Sequence, residues 1–184
     1  MAWKIDPAHS KVFFSARHMV IATVRGEFTK FDVDFQFDEN NPAASKVEAK
    51  IDVASLTSGV ADRDNHLRSG DFLDVEHYPY ITFKSKKVDV VDANHGRITG
   101  DLTIRDTTRE VVLDVEYSGL LKSPWGTTVA GFSAQTKINR KNWNLVWNVV
   151  VEGGALLVGE EVTINIDAEF VKVEQSVEAA VKTA

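Results

Sequence analysis

The sequence predicts an all-β fold, an extended eight-stranded antiparallel up-and-down barrel with a short helical insertion near 58–77. Three observations predict it. Polar and apolar residues alternate with a period of two in about eight segments, so each strand has one dry and one wet face. Turn-forming residues separate the segments without long crossover helices, as antiparallel neighbours allow. The inward faces also interleave small residues with large ones: Ala16, Ala49, Gly100, Ala130, Ala134 and Ala168. Inside a barrel, small residues either follow the taper or leave a hole.

The segments follow in chain order. In "KVFFSARH", Val12, Phe14, Ala16 and His18 share a face, and in "FDVDFQFD" Phe31, Val33, Phe35 and Phe37 do. "KVEAKIDV" turns Val47, Ala49, Ile51 and Val53 inward, and "YITFKSKKV" carries Phe83. "RITGDLTIR" sets Ile98, Gly100, Leu102 and Ile104 opposite Thr99, Asp101 and Thr103. "REVVLDVEY" does the same with Val111, Leu113, Val115 and Tyr117. "VAGFSAQTKI" gives Ala130, Phe132, Ala134, Thr136 and Ile138, and "EVTINIDAEF" gives Val162, Ile164, Ile166, Ala168 and Phe170. Strands of ten residues at about 3.3 Å each are roughly 33 Å long, which makes a tall tube.

Turn signals lie between them: "NNP" (40–42), "DANHG" (92–96), "RDTTR" (105–109), "SPWG" (123–126) and "EGG" (152–154). The stretch 58–77 lacks alternation and reads as one or two short helical turns, with Ser58 as a cap and Gly70 as a stop. The barrel is expected over 1–172, with 173–184 a C-terminal tail resembling a frayed helix.

Bulk composition narrows the function. The 184 residues suffice for one domain with a sizeable core. Without cysteine there are no disulfides and no thiolate chemistry. A net charge of −6 with no basic patch argues against nucleic acid as a partner. No apolar run is long enough to span a membrane. The N-terminus lacks the apolar core of a secretory signal, so the chain as it stands is expected to be cytoplasmic. A chain trimmed of its leader, and thus periplasmic or secreted, reads the same way.

The candidate binding residues follow from parity. Phe14, His18, Phe35, Ile51, Phe83, Leu102, Phe132, Ala134 and Ile166 face inward and line either a ligand cavity or a filled core. Trp143 and Trp147, with Leu145 between them, either clamp an alkyl chain or plug one barrel end. Arg63, His66 and Arg68 either meet an anionic head group or cap and brace the helical turns. The five histidines are scattered without metal-ligand spacing, and His9 in "DPAHS" is read as a turn brace. No metal, cofactor or catalytic group is assigned, and no Gly-x-Ser-x-Gly elbow occurs.

Several stretches together resemble the YceI-like family of lipocalin-like polyisoprenoid-binding proteins. They are "WKIDPAHSKVFFSARHM" (3–19), "GEFTKFDVDFQFD" (26–38), "RDNHLRSGDFLDVEHYPYITFKS" (63–85), "GDLTIRDTTREVVLDV" (100–115), "AGFSAQTKINRKNWNLVWN" (130–148) and "VGEEVTINIDAEF" (158–170). The resemblance implies a barrel holding an isoprenoid, an isoprenoid quinone or another long-chain lipid, for binding, storage or transport. It also implies a homodimer and, in many members, export to the periplasm, with no established catalysis. Two positions depart from the pattern, Asp106 and Asn144, where the family usually has glycine. The rival readings are an enzyme acting on a small apolar substrate at the barrel mouth, and a structural or stress-related dimerising barrel.

Overall fold

The structure, a computed structural model, describes residues 2–173. The strands are β1 (Ala2–Ile5), β2 (Lys11–His18), β3 (Ala22–Phe28), β4 (Phe31–Gln36), β5 (Lys46–Asp52), β6 (Leu56–Thr57), β7 (Tyr80–Val90), β8 (His95–Ile104), β9 (Thr107–Lys122), β10 (Thr128–Asn139) and β11 (Val158–Val173). All eleven belong to one antiparallel sheet, and pairing of β1 with β11 closes it. The first six segments are three strands, each broken once: β1 with β2, β3 with β4, and β5 with β6. Register supports this, since β2 pairs with β3 while β1 pairs with β4, and β4 pairs with β5 while β3 pairs with β6. Three broken strands and five whole ones make a closed eight-stranded up-and-down barrel.

The sequence reading missed β1, β3 and β6 as separate segments, and it underestimated strand length. β9 and β11 each have 16 residues, and β11 is long enough to pair with both halves of the broken first strand.

Each break in the ladder leaves backbone groups that need new partners. Serines supply them. The buried Ser10 hydroxyl accepts from Glu169 N–H at 2.9 Å between β1 and β2, while Asp6 N–H donates to the Glu169 carbonyl at 2.8 Å. At the next corner Ser55 Oγ accepts from Lys30 N–H at 3.0 Å. Where pairing of β5 with β7 ends, Ser85 Oγ accepts from Val47 N–H at 2.9 Å.

The helical insertion is one helix, α1 (Ala61–Arg68), and its ends differ from the expectation. Val60 occupies the cap position without a side-chain bond, and the helix stops at Ser69, whose hydroxyl donates to the His66 carbonyl at 2.7 Å. Ser58 instead binds Asp64 through its N–H at 2.8 Å and through its hydroxyl. The tail 174–184 lies outside the described residues.

Of the small inward residues, Gly100 does not leave a hole. A Cβ there would lie 2.5 Å from the Phe83 ring and 2.6 Å from the Lys84 carbonyl oxygen. Gly26 is covered by the Phe14 ring in the same way. Both glycines let an aromatic ring lie flat on a neighbouring strand. Gly100→Ala is therefore expected to lower stability by about 1–3 kcal/mol, the usual cost of overpacking. Gly70→Ala, where a Cβ meets nothing within 4 Å, is expected to stay within about 0.5 kcal/mol of the parent. Denaturant unfolding of the two variants side by side checks the difference.

Candidate functional site

Inside the barrel runs an apolar cavity of about 430 Å³, lined from every strand of the ring. Its size is that of a small-molecule or lipid-chain site. One end lies under Leu67 of α1 and Phe72 and is called here the helix end; the other reaches Val90 and Asn94 of the β7–β8 loop. Phe31, Val33, Phe35 and Phe37 all face this space, so the dry side of "FDVDFQFD" looks into a hollow.

The structure places Phe14, Phe35, Ile51, Phe83, Leu102, Phe132, Ala134 and Ile166 on the cavity wall. Beyond the β7–β8 end the wall passes into an aromatic cluster. Phe35 packs on Phe170 at 4.2 Å between ring centroids, Phe37 meets Phe132 edge-on at 5.3 Å, and Trp3 Nε1 donates to the Phe37 carbonyl at 3.1 Å.

The other named candidates lie off the wall. His18 ends β2, half-buried between Ala22 and Val158. Trp143 is buried at the helix end and donates from Nε1 to the Leu102 carbonyl at 3.0 Å, which makes it a plug and not a clamp. Trp147 packs outside against the His66 ring at 4.6 Å and Phe72 at 5.3 Å. The proposed head-group cluster braces α1. Arg63 Nε donates to Ser58 Oγ at 2.7 Å, His66 Nε2 pairs with Asp71 Oδ2 at 2.8 Å, and an Arg68 NH2 group donates to the Leu56 carbonyl. None of the three borders the cavity, because the helix turns these side chains toward the chain that anchors it.

Sequence reasoning missed Arg140, which is 3% exposed and borders the cavity at the helix end. Its guanidinium donates to the carbonyls of Gly159 at 2.9 Å, Leu145 at 2.5 Å, Trp147 at 2.9 Å and Val158 at 3.2 Å. Burial lowers its pKa, and nearby Glu160 acts against that. Leu145 was also missed as a wall residue, although its place between two tryptophans of the same parity was a usable signal. Nothing in the sequence marks the four carbonyls that Arg140 collects.

The departure at Asn144 has a backbone reason. The residue is left-handed, with φ 60° and ψ 22°, a conformation open to glycine and, next best, asparagine. Its Nδ2 donates to Thr107 Oγ1 at 3.1 Å, tying the segment to the β8–β9 turn. His9 braces its turn as the sequence suggested, and two further histidines repeat the motif. In Asp6–His9, Asp74–His77 and Asp92–His95, the ring Nδ1 meets the aspartate at 2.9 Å across a turn. Asp6, His9 and Glu169 also approach metal-site spacing, but the Asp6–His9 hydrogen bond accounts for that pair.

Residues 3–170 match the family model described as the YceI-like domain. The chain belongs to the YceI-like family. A UPF0312 protein of Staphylococcus aureus strain N315 is 36% identical over 166 residues, covering 90% of this chain and 94% of that protein. The crystal structure of Burkholderia cenocepacia BcnA superposes with a TM-score of 0.77 at 25% identity, covering 90% of this chain and 98% of that one. A polyisoprenoid binding domain from Saccharophagus degradans has a TM-score of 0.63 over 92% of this chain and 98% of its own, and at 13% identity shows the shared fold alone.

Two outcomes test the closures at the helix end. Asn144→Gly is expected to be near neutral, while Asn144→Val loses about 1–2 kcal/mol, as a β-branched residue forced left-handed should. Asp64 supplies the pH test. Burial raises its pKa, but hydrogen bonds from Ser58 and Thr57, with Arg68 nearby, more than offset this and hold it below the ordinary value. Its contribution is complete above the unfolded pKa of about 3.9 and is lost as pH falls through the lowered folded value. The stability gap between the parent and Asp64→Asn should therefore narrow as denaturant titrations are repeated toward acid.

Proposed function

We propose that this barrel binds a long apolar lipid, of the polyisoprenoid or isoprenoid-quinone type, along its axis, for storage or transport. The observation that carries the reading is the 430 Å³ cavity, walled by apolar side chains from all eight strands. Each buried methylene contributes about 0.8 kcal/mol, so a chain of several isoprene units offsets the association cost without a specific polar contact. Selectivity then rests on the length and bore of the tunnel. The Saccharophagus degradans domain, a polyisoprenoid binding domain, has the same fold, which is in keeping with a ligand of this class.

Ala134 and Ala168 test the proposal, because both line the cavity. Phenylalanine at either position places a ring in the hollow. In a filled core such overpacking costs about 1–3 kcal/mol. In the hollow, stability should hold or rise while uptake of a fluorescent polyprenyl analogue falls. Thermal melts and titrations of delipidated Ala134→Phe and Ala168→Phe beside the parent measure both quantities. Loss of stability in both variants with uptake unchanged would place lipid binding elsewhere or nowhere.

A further inference from the structure

Two chain segments meet outside the helix end of the barrel. One is the β2–β3 turn; the other is the 148–158 hairpin, closed by a bridge between Val150 and Leu156. Met19 N–H donates to the Leu157 carbonyl at 2.9 Å, and Leu157 N–H to the Val149 carbonyl at 2.9 Å, so the two tips are neighbours. Together they expose six aliphatic side chains: Met19, Val20 and Ile21 on the first, and Val146, Val149 and Val150 on or just before the second. Ile21 is 81% exposed.

Three features set this patch apart from scattered surface hydrophobics. The first is charge: residues 18–24 and 142–151 contain no Lys, Arg, Asp or Glu, in a chain that is 26% charged. The second is the turn itself. Met19 and Val20 are left-handed, at φ 51° and 63°, in a place where Asn or Gly would be relaxed. Arg17 holds the turn by donating to the Val20 carbonyl at 2.8 Å, so the strain is kept and the aliphatic side chains stay outward. The third is position. Ala16, Leu145 and Val158, next to the patch in the chain, line the cavity.

We infer that this face docks on the surface of a lipid bilayer. Uncharged aliphatic tips enter the acyl boundary without stripping water from an ion. Arg17 and Arg25 stand one step behind them, diagonal across β2 and β3 on the outer face, at the level where a guanidinium meets lipid phosphate. The net charge of −6 and the exposed Glu152 beyond Val151 favour neutral over anionic lipid. The further step, that cargo passes between bilayer and cavity at this end, rests on the lipid-binding reading above. A chain long enough to fill the barrel has little monomeric pool in water and must be collected from a membrane.

Flotation with phosphatidylcholine vesicles tests the docking, and transfer of a fluorescent polyprenyl analogue between vesicles tests the loading. The parent should float with neutral vesicles, changing by less than about twofold between low and high salt. Val20→Asp and Ile21→Asp should each weaken partitioning by roughly tenfold or more, since each removes an aliphatic group and adds a charge. Their melting temperatures confirm the fold. Trp125→Ser, at the exposed β9–β10 tip, should leave partitioning unchanged. Ala134→Phe should float like the parent but transfer no lipid, so failure of the cavity reading stays distinct from failure of docking. The inference is overturned if the parent does not float or if the Asp variants float as it does. It is also overturned if binding requires anionic lipid and disappears in salt, or if sedimentation shows a dimer that the Asp variants dissolve without any vesicle binding by the parent.

Discussion

The barrel closes across a gap. Between β1 and β2 the first strand leaves the ladder, and the Glu169 peptide of β11 faces that break with both its groups in need of partners. Asp6 N–H takes the carbonyl, and the Ser10 hydroxyl takes the N–H. Ser10 is only 1% exposed, so water cannot easily stand in for it. Without this repair the closing strand would be left with an unsatisfied peptide at the bend, between its ladder with β1 and its ladder with β2. Closure in turn creates the interior. A ring of eight strands encloses a space whose width is set by strand number and tilt before any side chain is chosen.

The two ends of that space are closed by different physics. At the β7–β8 end, aromatic rings from β1, β4, β9, β10 and β11 stack and meet edge-on, a closure made of area and ring geometry. At the helix end Arg140 draws four carbonyls from two segments onto one guanidinium. A buried cation is costly, and removing its partners would leave it unpaired, so this knot holds one geometry of the 145–159 segment. Trp143 then spans from that knot to Leu102 and seals the wall. The exposed tips beyond it are held by the same segment, which links the surface outside the barrel to the wall inside it.

How much of this was legible follows from what a period of two can encode. Parity placed most inward residues on the wall, because side-chain direction alternates whatever the partner strand does, and it failed at the strand end, where His18 leaves the wall. The breaks themselves shift parity by one, from odd inward residues in β1 (Trp3, Ile5) to even ones in β2 (Val12, Phe14), but a segment as short as β1 carries too few alternations to be read as a strand. Nor could parity tell a small residue that leaves space from one that is covered. Gly100 and Ala134 look alike in the sequence, yet a ring lies on the first and the cavity on the second. The polar residues were the least legible. Arg63, His66 and Arg68 drew notice as a cluster, whereas Arg140 acts through carbonyls that every residue carries. The repeated Asp-x-x-His turns were in plain view, but their meaning lay in local hydrogen bonds and not in metal spacing.

The hollow remains to be explained as a matter of stability. At about 24 cal/mol for each Å³ of cavity, a void of 430 Å³ forgoes on the order of 10 kcal/mol, comparable with the whole stability of an ordinary domain. A fold that relied on a filled core would not tolerate this. Here the burden falls on a backbone ring closed by the β1–β11 pairing, on serines at its breaks, and on closures at both ends that do not depend on the middle being full. Phe14 and Phe83 show the same division of labour: each lies back against a glycine on the wall instead of reaching for the axis. The rings therefore strengthen the ladder and leave the bore open. A molecule that fills the bore regains the contacts the chain has forgone, so occupancy and stability are coupled by the geometry of the wall itself.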